Sequence, residues 1–203
     1  MISFNDNYKK ILLCVSGGAD SALGLYLTCE YITSKKIDTD LYVFSGTEGK
    51  NNVATFRVVD YVTQKFPNVI SEHIVESMSE SLSKGYKKQD VFARVVRSDN
   101  YDLHIRFPTL NPPHFIDNRI EMRSRELYKN CNSSGWPYWS KFEGVTFYRP
   151  FLKIDKKAVV NLYKDRDIFD ELFPLTYSCI GKDMYPDVCG SCFWCKEREW
   201  ATS

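Results

Sequence analysis

The most constraining stretch of this chain is an apolar run that breaks off in glycine. Ile11-Leu12-Leu13 is followed by Cys14-Val15-Ser16-Gly17-Gly18-Ala19-Asp20-Ser21, and helical spacing takes over from there. Three aliphatic residues without polar alternation read as a strand buried on both faces. A buried strand that turns through Ser-Gly-Gly directly into a helix builds an anion cradle. Glycine lets the backbone come close to a phosphate, and the first-turn N–H groups have no partner inside the helix. Asp20 sharpens the reading. A carboxylate repels phosphates unless a cation such as Mg2+ lies between them, so the stretch points to a polyphosphate with a metal.

The chain contains no Gly-x-x-x-x-Gly-Lys-Ser/Thr and no Gly-x-Gly-x-x-Gly, and the absence of Gly-x-Ser-x-Gly leaves acyl-enzyme hydrolysis without support. Ser16-Gly17-Gly18-Ala19-Asp20-Ser21 instead resembles the Ser-Gly-Gly-x-Asp-Ser loop of the PP-loop ATP pyrophosphatases. That resemblance implies an adenine nucleotide alpha hydrolase-like α/β fold. It also implies ATP bound by Ser16, Gly17, Gly18, Asp20 and Ser21, with Asp20 and Ser21 in the catalytic machinery. An acceptor oxygen is then adenylated and pyrophosphate is released.

Further along, Ala22, Leu25, Cys29 and Ile32 share one face of a helix predicted over Ser21–Lys35. Asp40–Ser45 is β-prone and is stopped by Gly46. A second helix carries Val53, Phe56, Val59 and Phe66 in register and ends at Pro67, and Val69–Val75 reads as a third strand. This alternation predicts a three-layer αβα arrangement, a mostly parallel sheet with helices on both faces, and ligands beyond the carboxyl ends of the strands. By resemblance Phe44 and Ser45 contact the nucleotide; a solvated glycine-rich turn over Phe44–Asn51 explains the same letters.

The middle of the chain is less specific. A polar, serine-rich connection spans Ser77–Lys84, and Val91–Val96 reads as a helix. Asp117 caps a predicted helix to about Tyr128 on which Arg119 and Arg123 form an i,i+4 pair, with Arg125 beside them. Those arginines could grip an anion or pair with Glu121 and Glu126. Trp136-Pro137-Tyr138-Trp139 fits a stacking surface or a small satellite core. His73, His104 and His114 show no spacing of a metal pair or triad. Val145–Pro150 reads as a late strand leading into a helix capped by Asp155. Arg149 or Lys153 there could neutralise departing pyrophosphate as a catalytic cation, or be a surface charge at a strand end.

The second strong signal is Cys179-x9-Cys189-x-x-Cys192-x-x-Cys195. Seven cysteines, an odd number, do not read as a disulfide framework, and these four read as metal ligands in a reducing cytosol. Four sulfurs with no open position describe a structural tetrahedral Zn2+. The same run matches an iron–sulfur pattern, although the trailing Cys-Pro is missing. Zinc would fix a tail that has little core of its own.

The expected division at 203 residues is a main domain over 1–175 with the metal-binding tail, 176–203, packed on it. With 27 basic and 26 acidic residues, no global field advertises nucleic-acid binding. Met1–Asn7 lacks an apolar h-region and no stretch is long enough to span a bilayer, so the expected location is cytoplasmic, away from membranes.

Leu175-Thr176-Tyr177-Ser178-Cys179 with Cys189-Gly190-Ser191-Cys192-Phe193-Trp194-Cys195-Lys196-Glu197-Arg198 resembles the C-terminus of the 7-cyano-7-deazaguanine synthases, Arg198 included. The resemblance covers residues about 10–45 and 145–198. It implies conversion of 7-carboxy-7-deazaguanine and ammonia to the nitrile, with two rounds of ATP activation, and it suggests a homodimer. AMP makes a carboxylate oxygen, then the amide oxygen, a leaving group, so no protein nucleophile is required. Two departures fall in the substrate half. Ser45–Asn51 stands where the family has Asp-x-Gly-Gln-Arg/Lys-His, and Val-Pro-x-Arg-Asn has only Asn118-Arg119 as a counterpart. Three other readings therefore stay open. The first is a diverged relative, of phage or antiphage type, that stops at the amide or joins the carboxylate to another amine. The others are a tRNA-modifying PP-loop enzyme and a non-catalytic nucleotide-binding module.

Overall fold

A computed structural model describes residues 2–47, 51–77, 101–110, 112, 139–142, 144–179 and 187–203. The helices expected over Val91–Val96 and Asp117–Tyr128, with Arg119, Arg123 and Arg125, lie outside the described residues. So do the connection after Ser77, His114 and Trp136–Tyr138.

The sheet has six strands, in the order β3-β2-β1-β4-β6-β5. They are β1 (Lys10–Cys14), β2 (Asp40–Thr47), β3 (Ile70–Ser77), β4 (Leu103–Ile105), β5 (Trp139–Phe142) and β6 (Val145–Tyr148). All pairings are parallel except β5 with β6. The α/β class and the mostly parallel sheet are therefore as expected. The chain runs outward from β1 through β2 to β3, then resumes at β4 on the other side of β1. That reversal opens a crevice at the carboxyl ends of β1 and β4.

Helices α1 (Ala19–Lys35), α2 (Asn51–Lys65) and α3 (Lys156–Asp165) bury their apolar sides in one large core. The sheet presents to that core Ile11 and Leu13, Leu41 and Val43, and Leu103 and Ile105, alternate residues of three adjacent strands. A short α4 (Phe169–Leu172), a 3-10 turn (Phe173–Leu175) and α5 (Phe193–Thr202) complete the described elements, with Ala201 of α5 in the same core. On the opposite face of the sheet Leu12, Phe44 and Tyr101 form a smaller cluster. Among the described residues no helix contributes to that cluster.

The predicted face of α1 is buried throughout, at Ala22, Leu25, Cys29 and Ile32. Phe107 packs its ring where Gly24 has no side chain; a Cβ there would lie 2.4 Å from ring atoms. In α2 the expected face holds at Val59, which is buried, and at Phe66, which packs against the core, but not at its first two positions. Val53 and Phe56 stay 43% and 42% exposed, while Ala54, Val58, Val59 and Val62 are buried. The helix carries two adjacent apolar stripes, and the sheet takes the one with the smaller side chains. β2 also runs past Gly46, whose backbone remains in register with Glu76 of β3. As expected, Asp155 caps α3, its carboxylate accepting the Ala158 N–H at 2.8 Å. Among the described residues no helix is long and apolar enough to cross a membrane.

His104, fully buried in β4, lies between the rings of Tyr101 and Phe147. Burial, reinforced by the Arg106 charge, pushes its pKa down from 6.5 to about 3. The unfolded chain takes up the proton first, so stability is complete above about pH 6.5 and falls as the pH drops toward 3. Near pH 5 the loss attributable to this one group is about 2 kcal/mol. Urea denaturation at neutral pH and near pH 5 should show that difference shrinking by about this amount in His104→Gln; an unchanged slope would refute the assignment.

Candidate functional site

The loop between β1 and α1 lies at the crevice. Gly17 takes φ +75°, a conformation that favours glycine, and Gly18 caps α1 in extended geometry without a side-chain hydrogen bond. The Ser21 hydroxyl organises the turn. It donates to the Gly18 carbonyl at 3.1 Å and accepts the Ser16 N–H at 3.1 Å. With its proton committed, it accepts from the Ser16 hydroxyl at 3.2 Å. Ser21 is thus buried as the keystone of the loop. The N–H groups of Ala19, Asp20 and Ser21 belong to the first helical turn, which has no carbonyls of its own to offer them.

Helix α3 closes this loop from the side. The buried Tyr163 hydroxyl donates to the Ala19 carbonyl at 2.7 Å. Lys156 Nζ lies 2.5 Å from Asp20 Oδ2, with the two side chains 7% and 21% exposed. Asp20 Oδ1 is buried and has no hydrogen-bond partner among the described residues. A bare carboxylate oxygen beside an anion-shaped loop is the hard donor that a divalent cation such as Mg2+ takes, so the residues fit a metal-bound polyphosphate.

The cation paired with Asp20 is therefore Lys156, which sequence reasoning passed over in favour of Arg149 and Lys153. Asp155 was the available signal, because a capped helix starting at Lys156 puts that side chain in the first turn. Lys153 is exposed. Arg149 is buried, donates to the Ser140 hydroxyl at 2.9 Å and lies over the Phe147 ring, which also carries Arg106. Phe44 is buried in the smaller core cluster, and the Ser45 hydroxyl is hydrogen-bonded to His73 Nε2 at 2.9 Å. Glu48, Gly49 and Lys50, the rest of that loop, lie outside the described residues.

The structure brings Cys179, Cys189, Cys192 and Cys195 together, with all four sulfurs within 4.8 Å of one another. Three of the separations are 3.5, 3.9 and 4.0 Å. Around one tetrahedral ion with metal–sulfur bonds of about 2.3 Å, sulfurs lie about 3.8 Å apart, so the group can hold a metal ion. Cys189 is drawn down to about 5, chiefly by the Ser191 N–H and then by the Ser191 hydroxyl and the Cys192 N–H, whereas burial pushes Cys195 up to about 12. Of these two, Cys189 is the ready thiolate.

This centre lies against the loop. The Tyr177 N–H donates to the Gly17 carbonyl at 2.8 Å, and Ser178 Oγ lies 3.4 Å from where a Gly18 Cβ would be. Arg198 of α5 secures the same segment from behind, donating to Thr176 Oγ1 at 2.7 Å and to the Phe173 carbonyl at 2.9 Å. A cleft of about 500 Å³ runs along it, lined among others by Ser178, Cys195, Trp194 and Lys196.

The Lys156–Asp20 pair can be measured directly. Lys156→Met strands a largely buried carboxylate and should lower the unfolding free energy by about 3 kcal/mol in denaturant titrations. Adding Asp20→Asn should recover at least about 1 kcal/mol of the summed single effects; strict additivity would mean that the two groups do not interact.

No protein-family model matches the chain, and no curated protein does. Among solved structures it is similar to the U34-tRNA thiolase NcsA from Methanococcus maripaludis, determined with its 4Fe-4S cluster. The TM-score is 0.55 and the identity 16%, over 98% of this chain and 66% of that one. At this identity the likeness shows a shared fold alone, an α/β fold with a mostly parallel sheet, as expected.

Proposed function

We propose that this chain is an ATP-dependent adenylating enzyme that activates a carboxylate oxygen on a small 7-deazaguanine-like acceptor and joins the carbon to nitrogen. The observation that carries the reading is the bare Asp20 Oδ1 at the glycine loop, with Asp20 Oδ2 held by Lys156. Ser16, Gly17, Gly18 and Ser21 would hold the polyphosphate of ATP, and Asp20 its Mg2+. Bound Mg-ATP supplies an adenylyl group and carries off pyrophosphate. Lys156 is the fixed positive charge beside the loop, in the role expected for Arg149 or Lys153. It balances charge as pyrophosphate separates, and being buried and already oriented it needs little reorganisation to do so.

Zn2+ is the proposed occupant of the four-cysteine centre. In an iron–sulfur cluster the cysteines bond different irons, which spreads their sulfurs beyond the spacing around a single ion. Separations of 3.5–4.0 Å support one ion. The C-terminal pattern from Thr176 to Arg198 supports 7-carboxy-7-deazaguanine and ammonia as substrates and the nitrile as product. A second reading, a tRNA-modifying enzyme, draws on the fold shared with the thiolase.

Incubation with Mg-ATP, ammonium and 7-carboxy-7-deazaguanine should release pyrophosphate and yield the nitrile mass. Asp20→Asn should slow pyrophosphate release by about 100-fold or more. An amide mass would place the reaction at the first activation. Pyrophosphate formed only with tRNA and a sulfur donor would establish the second reading. No pyrophosphate in either assay would overturn the proposal.

A further inference from the structure

The four-cysteine centre and the contact to the glycine loop lie two residues apart along one segment. Cys179 is a member of the sulfur group, and Tyr177 is hydrogen-bonded through its backbone N–H to the Gly17 carbonyl. The Tyr177 side chain faces the sulfurs. It is buried in a small cluster with Ala54 of α2 and Cys179, against which Cys189, Cys192 and Cys195 pack, and its hydroxyl donates to the Asp187 carbonyl at 3.2 Å. Backbone N–H groups knit the sulfur group itself, Cys189 N–H to Cys179 Sγ at 3.4 Å and Cys192 N–H to Cys189 Sγ at 3.3 Å. One residue thus belongs with its side chain to the cluster around the four sulfurs and holds the glycine loop with its backbone.

We propose that Tyr177 is a positioning residue through which the metal at the four cysteines braces the Ser16–Ser21 loop, so that metal occupancy sets the rigidity of the loop and its affinity for nucleotide. The affinity half of this rests on the ATP reading above; the rigidity half does not. Gly17 has no side chain, so its placement at φ +75° depends on its backbone partners, and the Tyr177 N–H is one of them. On the other side, the binding free energy of a structural metal is folding free energy for the segment it closes. Removing the metal releases Cys179, the segment through Tyr177 loosens, and the loop loses its inner strap. Restoring the metal restores it. The loss of one backbone hydrogen bond and of the order it imposes corresponds to about a tenfold drop in affinity.

The test compares the full chain loaded with Zn2+, stripped with a chelator and reloaded, by amide hydrogen exchange and by calorimetry with a non-hydrolysable ATP analogue. Stripping should speed exchange across residues 15–22 by about tenfold and weaken analogue binding about tenfold. Reloading should reverse both. Fast exchange over 187–203 with unchanged exchange over 15–22 would overturn the proposal. If stripping also releases β1 and the core, Tyr177→Ala decides. That variant keeps all four cysteines and the backbone N–H but removes the ring. Loaded with one Zn2+ per chain and with β1 still protected, it should already exchange faster over 15–22; wild-type exchange there would overturn the proposal. Failure of the zinc-loaded wild type to bind the analogue would refute the ATP reading, while the exchange over 15–22 would still judge the brace.

Discussion

Ile11, Leu12 and Leu13 are wholly inaccessible to solvent, and much of this molecule follows from that burial. A strand with no wet face must lie inside a sheet, and β1 lies between β2 and β4, hydrogen-bonded on both sides. Its carboxyl end is therefore the point from which the chain departs in two directions. A loop there is held by the most rigid element available, and α1 leaves it with its N-terminus beside the crevice. Loop, helix start and crevice coincide because one strand is dry.

Upon that frame the charges are arranged economically. Asp20 and Lys156 come from elements 136 residues apart in sequence and meet at low exposure, where an isolated charge of either sign would be costly. The pairing leaves one carboxylate oxygen of Asp20 bare. Tyr163, two turns farther along α3, fastens that helix to the carbonyl at the start of α1. The late helix is thus as much a part of the glycine loop's frame as the glycines are.

What could be read from the letters divides along physical lines. The loop was legible because Ser-Gly-Gly-x-Asp-Ser is local: glycine at positive φ, a hydroxyl that closes the turn and a first-turn carboxylate are all properties of neighbours in sequence. The four cysteines were legible because sulfur at two-residue spacing serves few other purposes, and the Asp155 cap because it acts on the next turn. Lys156 was hidden because its partner lies across the fold and no local rule names it. The buried side of α2 was misread at Val53 and Phe56 because two apolar stripes adjoin, and only the sheet's shape selects between them. The bond from Tyr177 to Gly17 was invisible for a plainer reason: it is made by backbone atoms, which leave no mark on residue identity.

Gly24 shows how far the loop's geometry reaches. Its bare Cα lets the Phe107 ring sit directly on α1, so the contact works as a mechanical stop that sets how deeply the helix seats against the sheet. Because the helix begins at the loop, any bulk at that stop lifts the amide-bearing end with it, and the aim of those amides is governed by a hydrocarbon contact more than a full turn away. A surveyor would call Gly24 the benchmark: it lies outside the glycine loop, yet the height of that loop is levelled from it.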